Sequence, residues 1–528
     1  RPQEALRARQ RNYSRVDLFN DLPMSTLSQG DAIIDISDED LETVEVATIF
    51  VDGVTAVQTP AEEIRLNSEE GTSLRTKSTG STLLTGPSLK GTAEEPASIS
   101  LVTDGSKEVQ VVAVNTSNVS NTVITTAESV DGSTVVPAEI VVRSDNVEAV
   151  SIKTASTEKK SQVRFGQTTK SLAGVRIEME GAGGNLDVQS ASVDNLQVKA
   201  AGEQFSEITF GAEVEKVTNA QIEIGQSGGS LQMEGGTLSS STIAIESDTN
   251  AINEVLIGSN VTSVSDTTLE LSKGSANVGI ASDSVNDVKV FANSKSPTTL
   301  VVDSEEVNGF TLSVSRSTAS LDLASKSKIS GTTLASTTKN NFNASIDAVT
   351  KNTTISNTRK GEFEVAFSEK AINPSITNEG KGAIEANFDS VTRGAELEST
   401  RGDINASFSG KVKDILVEAS SSKGDVSISF DSVVSNANLS FGRGSDDVIF
   451  GGSVTGSSSV DLGSDKNSDS VTIEKPKKVK SPLTISNFGP QDVLTLGAST
   501  FTYAQISEFE STDSFPNIFG DNIIVELA

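Results

Sequence analysis

Residues 340–452 decide the fold, because there the chain repeats itself. They read NNFNASIDAVTKNTTISNTRK (340–360), GEFEVAFSEKAINPSITNEGK (361–381), GAIEANFDSVTRGAELESTR (382–401), GDINASFSGKVKDILVEASSSK (402–423), GDVSISFDSVVSNANLSFGR (424–443) and GSDDVIFGG (444–452). A glycine opens each unit after the first (Gly361, Gly382, Gly402, Gly424 and Gly444), at spacings of 21, 20, 22 and 20 residues. A large apolar column keeps step with it: Ile346, Phe367, Phe388, Phe408, Phe430 and Phe450. Each unit holds a short alternating run, one apolar residue after a gap (Val391, Val412, Val434), and a second short run (Ala395 and Leu397; Leu416; Leu439 and Phe441). Two columns with one period point to stacked coils, each one repeat long. The expected fold is all-β: an elongated β-solenoid, or parallel β-helix, with about 20–22 residues and two short strands per coil. Its aligned phenylalanines should form a ladder inside the core, rung upon rung at about 4.8 Å. The competing architecture, a β-sandwich with evenly spaced strands, gives no reason for side-chain identity to recur column by column.

Working outward, residues 97–440 carry the unit throughout, more weakly before residue 340. Val285, Val307 and Ile329, spaced by 22 and 22, mark a central column there. Residues 31–96 show strand-like runs without a clear period and are read as an N-terminal cap with irregular first coils. Residues 1–30 hold Arg1, Arg7, Arg9, Arg11 and Arg15 in an otherwise acidic chain. That composition fits a docking arm for an anionic or protein anchor, and equally a plain basic terminus.

Composition narrows the chemistry. Of 528 residues, 35% are hydrophobic and 4% aromatic, and the net charge is −30. An acidic surface argues against nucleic acid as a partner. No apolar run reaches the length of a membrane-spanning helix. With His and Cys both absent, serine–histidine and cysteine–histidine nucleophiles are excluded, as are imidazole and thiolate metal sites. Oxygen ligands for hard cations remain. Asp446, Asp447, Asp465 and Asp469 are the candidate carboxylates for Ca²⁺. The same aspartates equally suit Asx-turns at coil corners. The RGD tripeptide at Arg401–Asp403 falls where the period already demands Gly402 and is read as a coil corner.

The final stretch, residues 441–528, carries a second signal. FGRGSDDVI fits the nonapeptide pattern G-G-x-G-x-D-x-U-x, with Gly442, Gly444, Asp446 and Val448 in place and Phe441 where the first glycine belongs. Downstream come Ile485, Phe488, Asp492, Leu494 and Leu496, then an apolar tail with Ile523, Ile524, Val525 and Leu527. This arrangement resembles the C-terminal part of RTX-type (hemolysin-type calcium-binding) proteins exported by type I systems. The resemblance implies calcium between successive turns and an extracellular destination. In style and composition, the Ser/Thr/Val-rich coils ahead of it are similar to type I-secreted surface-layer proteins.

The expected function is therefore structural and non-enzymatic: a self-associating subunit of an extracellular surface assembly, bridged by calcium. The alternative is a bacteriophage virion component, such as a tail fibre, spike or capsid-surface protein, docked through the arginine arm. Behind these stand an adhesin and, last, a polysaccharide-degrading β-helix enzyme. For the enzyme no carboxylate pair stands out, and the aromatic sugar platforms are nearly absent.

Overall fold

An alternating pentapeptide such as Phe363–Phe367 puts Phe363, Val365 and Phe367 on one face and Glu364 on the other. The buried face is not covered by a layer of helices, because the sequence offers no convincing long amphipathic helix. It is covered instead by the other walls of its own coil. The structure is a computed structural model. It describes residues 81–91, 93–94, 96–103, 110–129, 135, 137–248, 251–419, 423–511 and 521–528. Before residue 81 it describes only the strands Ile34–Asp35, Ala47–Val51, Val54–Thr59, Ile64–Asn67 and Ser73–Thr76. The arginine arm lies outside the described residues. The chain divides into two compact units, Arg1–Ser263 and Val264–Ala528.

In each unit the fold is a β-solenoid of stacked parallel coils. In the second unit many coils show the expected two strands, as in Thr298–Asn308 with Thr311–Ser315 and Ile404–Phe408 with Val412–Glu418. Between residues 342 and 399 the coil is broken into three. The coil that begins at Phe363 runs through Phe363–Phe367, Ala371–Ile372 and Ser375–Asn378. Each pairs in parallel with its counterpart one coil on, at Ile384–Phe388, Thr392–Arg393 and Glu396–Ser399. The middle strand is only two residues long, too short to show as a period-two run.

The phenylalanine ladder is in register as expected. Ile346 pairs with Phe367, Phe367 with Phe388, Phe388 with Phe408, Phe408 with Phe430, and Phe430 with Phe450. Successive rings from Phe367 to Phe450 stack with centroids 4.8, 4.6, 5.2 and 5.3 Å apart. Each such pair adds about 0.5–1.5 kcal/mol beyond its buried area. The central column Val285–Val307–Ile329 is likewise paired and buried.

Two apolar positions differ from the sequence reading. Thr392, not Val391, stacks between Ala371 and Val412, and Val391 faces outward. Val417, not Leu416, stacks on Leu397 and is fully buried. Val391 sits in the corner between the strands Ile384–Phe388 and Thr392–Arg393, and Leu416 sits two residues past a bend. At that bend each of these coils turns at a residue with positive φ: Asn352, Asn373, Gly394, Asp414 and Asn436, at 50–67°. The bend resets the in–out alternation, so the apolar count cannot be carried across it.

The glycine column has a different cause. A Cβ on Gly402 would lie 2.2 Å from the Gly382 carbonyl oxygen, and one on Gly382 would lie 2.1 Å from that of Gly361. Here successive coils touch backbone to backbone. Asn378 Nδ2 holds the corner by donating to the Gly382 carbonyl at 2.7 Å.

The stack is closed by antiparallel pairing at both ends of the described chain. In the first unit Ala47–Val51 pairs antiparallel with Val54–Thr59, which pairs antiparallel with Ser81–Lys90. In the second, Val493–Leu496 pairs antiparallel with Ser499–Thr502. The helix Tyr503–Ser511 follows, and Ile523–Leu527 then joins Leu483–Phe488 in parallel.

Phe408→Ala, in mid-ladder, is expected to lower stability by about 3–5 kcal/mol. Val391→Ala should change it by less than about 0.5 kcal/mol. Guanidinium chloride unfolding of the two variants checks this; equal effects would contradict the assigned register.

Candidate functional site

One inward column changes character near the C-terminus. In coils above, the first buried position of the first strand is apolar: Phe342, Phe363, Ile384, Ile404 and Val426. In the last three coils it is Asp446, Asp469 and Asp492, each immediately ahead of the paired residues Asp447, Ser470 and Val493. These aspartates are 1%, 2% and 4% exposed.

Their hydrogen bonds explain why a polar residue is tolerated. Higher in the stack the strand's first N–H is taken by a backbone carbonyl one coil on, as in Ile384 N to Asp403 O at 3.0 Å and Ile404 N to Asp425 O at 3.1 Å. In the last coils a carboxylate takes over. Val426 N donates to Asp446 Oδ1 at 2.8 Å, Asp446 N to Asp469 Oδ1 at 2.8 Å, and Asp469 N to Asp492 Oδ1 at 3.0 Å. Asp492 Oδ2 also receives Gly489 N at 2.6 Å, which fixes the last rung in its own turn. Asp446 Oδ2 is left buried without a partner.

Burial raises the carboxyl groups of Asp446 and Asp469 to about 7. The backbone donors oppose this, and neighbouring carboxylates, Asp492 and Asp465 among them, add to it. Asp492 is raised for the same leading reason. Below about pH 7 Asp446 and Asp469 therefore hold protons that an exposed aspartate has released.

Of the four candidate calcium ligands, the structure brings Asp446 and Asp469 into this ladder and leaves the other two apart. Asp447 accepts a hydrogen bond from Ser470 Oγ on the outer face. Asp465 makes a turn of its own, accepting Asn467 N at 2.9 Å and Asn467 Nδ2 at 2.8 Å. Among the described residues no three or more Asp or Glu side chains are gathered to hold a metal ion. The orphan Asp446 Oδ2 is one oxygen where a calcium shell takes six to eight. Protonation at this position removes the charge from the orphan oxygen.

Asp492, the third rung, was legible only as part of the C-terminal motif. The missed signal is the spacing 446, 469, 492, two steps of 23 residues, each aspartate opening an apolar strand. The other residues of that motif, Ile485, Phe488, Leu494, Leu496, Ile523 and Val525, are buried core, while Ile524 faces outward. The RGD tripeptide sits at the coil corner, Gly402 packed on the Gly382 carbonyl and Asp403 Oδ1 accepting Asp425 N at 2.9 Å. No helix among the described residues is long and apolar enough to cross a membrane. No protein-family model, curated protein or solved structure matches this chain.

The raised carboxyls fix the sign of a pH effect. The folded chain binds protons that the unfolded chain releases near pH 4. The ladder's contribution is therefore full below about pH 4 and is lost as pH rises through about 7. Asp446→Asn and Asp469→Asn keep the Oδ1 acceptor and remove the ionisation. Thermal melts should show each variant gaining stability over the parent between about pH 5 and pH 8. A pH-independent difference would contradict protonated rungs.

Proposed function

We propose that this chain is a non-enzymatic structural subunit of an extracellular surface assembly of the surface-layer kind, associating with copies of itself. The observation that carries the reading is the stack itself. Coil after coil keeps one register, the interior is filled by ladders, and the outward positions are mostly polar or charged side chains. Such a body offers the same surface at every coil step, which suits repetitive packing better than recognition of one small molecule. A hollow of about 360 Å³ is an open groove along the first unit lined by outward residues such as Arg164, Asp187, Glu207 and Glu234. Arg164 and Asp187 in it are already paired at 3.1 Å.

Calcium enters the same proposal as a bridge between acidic faces of neighbouring copies, given the net charge of −30. Secretion by a type I route rests on the C-terminal resemblance.

Electron microscopy of the purified chain, with calcium and then with chelator, tests both parts. Ordered sheets or filaments that dissolve on chelation are the expected result. Assemblies indifferent to chelator would remove calcium and leave the self-association. Single particles under every condition would overturn the structural-subunit reading.

A further inference from the structure

The corner between the first and second strands carries a repeat two coils long. In five successive coils of the second unit it reads Asp347-Ala348-Val349, Ser368-Glu369-Lys370, Asp389-Ser390-Val391, Ser409-Gly410-Lys411 and Asp431-Ser432-Val433. The first residue of each triplet directly follows a rung of the Ile346–Phe430 ladder, so the five stack as one column. The third precedes the paired Thr350, Ala371, Thr392, Val412 and Val434, so these stack as another. Aspartate alternates with serine in the first column, and valine with lysine in the second. In these two columns the charge runs Asp347, Lys370, Asp389, Lys411, Asp431, and Glu369 in the middle position adds a carboxylate beside Lys370. Within the two columns the sign alternates coil by coil, and like charges recur about 9.6 Å apart.

Avoidance of like charges on adjacent rungs explains half of this. Two aspartates one rung apart repel, and serine between them removes the contact. That requirement is met by any neutral residue and does not call for lysine in the intervening coils. Nor are the charges used inside the chain. All five side chains are exposed, and among the described residues none of them makes an ion pair within 4.0 Å. Asp347 accepts only Ser368 Oγ, at 2.5 Å. Elsewhere the chain does pair its surface charges, as in Lys326 with Glu305 at 3.2 Å.

We propose that this corner is a lateral contact between two copies of the chain, each lysine of one copy meeting an aspartate of the other. The proposal rests on the self-association put forward above and names its surface. The pattern is self-complementary and it fixes register. Two such rows set level oppose five like pairs, whereas a shift of one coil, about 4.8 Å, opposes four unlike pairs. Exposed pairs are individually weak, so the row selects alignment more than it adds affinity.

The test uses two full-length variants, K370E/K411E with an all-acidic corner and D347K/E369Q/D389K/D431K with an all-basic one. Sedimentation velocity of each alone should show self-association at least tenfold weaker than the parent's, and an equimolar mixture should recover it. Circular dichroism confirms that each variant folds, and parent association should weaken as salt is raised. A parent that associates independently of salt, or variants that associate as well as it does, would overturn this surface and leave the structural-subunit reading intact. A parent that never associates would overturn both.

Discussion

In the described coils a strand residue lies beside its counterpart one coil away, hydrogen-bonded through a parallel ladder about 4.8 Å across. That single constraint decides which residues are admissible. A side chain must pack not only against the core but against the residue that occupies its own place in the next coil. Phenylalanine meets this by stacking, with rings nearly parallel between Phe367, Phe388 and Phe408. The glycine corners meet it by having no side chain where Gly361, Gly382 and Gly402 touch through backbone. The positive-φ bend meets it by linking amides: Asn373 Nδ2 donates to Asn352 Oδ1 at 3.1 Å, and Asn436 Nδ2 to Asp414 Oδ1 at 2.7 Å. Where Gly394 follows Asn373, a Cβ would stand 2.4 Å from the Asn373 oxygen.

The same constraint governs charge, with two outcomes in one molecule. On the surface, the corner from Asp347 to Asp431 separates like charges by a neutral rung. In the interior, Asp446, Asp469 and Asp492 are stacked on consecutive rungs, where three ionised carboxylates would repel in a dry setting. There the strain is relieved by protonation, and by backbone N–H groups that no carbonyl reaches in those coils. The carboxylates act as substitutes for missing backbone acceptors, which accounts for polar residues at a core position.

How much of this the sequence disclosed follows from where the period is strict. The phenylalanine and glycine columns recur as identical residues and were legible without a structure. The separate middle strand of the coils between residues 342 and 399 was not, because Ala371–Ile372 and Thr392–Arg393 are two residues long and have no alternation to detect. Val391 and Leu416 misled because each lies one residue from the true rung, next to a corner or bend where the in–out count restarts. The positive-φ column Asn352, Asn373, Gly394, Asp414, Asn436 keeps a 20–22-residue spacing. It was readable in principle, since only Asn, Asp and Gly enter that conformation cheaply. The buried aspartates were visible as residues but not as a ladder. The turn and calcium readings both assume a carboxylate at a corner, and a carboxylate replacing Val426 in the core follows only from register.

Register is therefore the claim on which the rest stands, and the absence of cysteine makes it directly measurable. Asn343 and Ser427 lie in one outward column, four rungs apart through Glu364, Glu385 and Asn405. Spin labels on Cys introduced at these two positions, read by double electron–electron resonance, should give a narrow distribution near about 19 Å, although 84 residues separate the sites. A broad distribution, or one centred well beyond about 30 Å, would contradict in-register coils of this period.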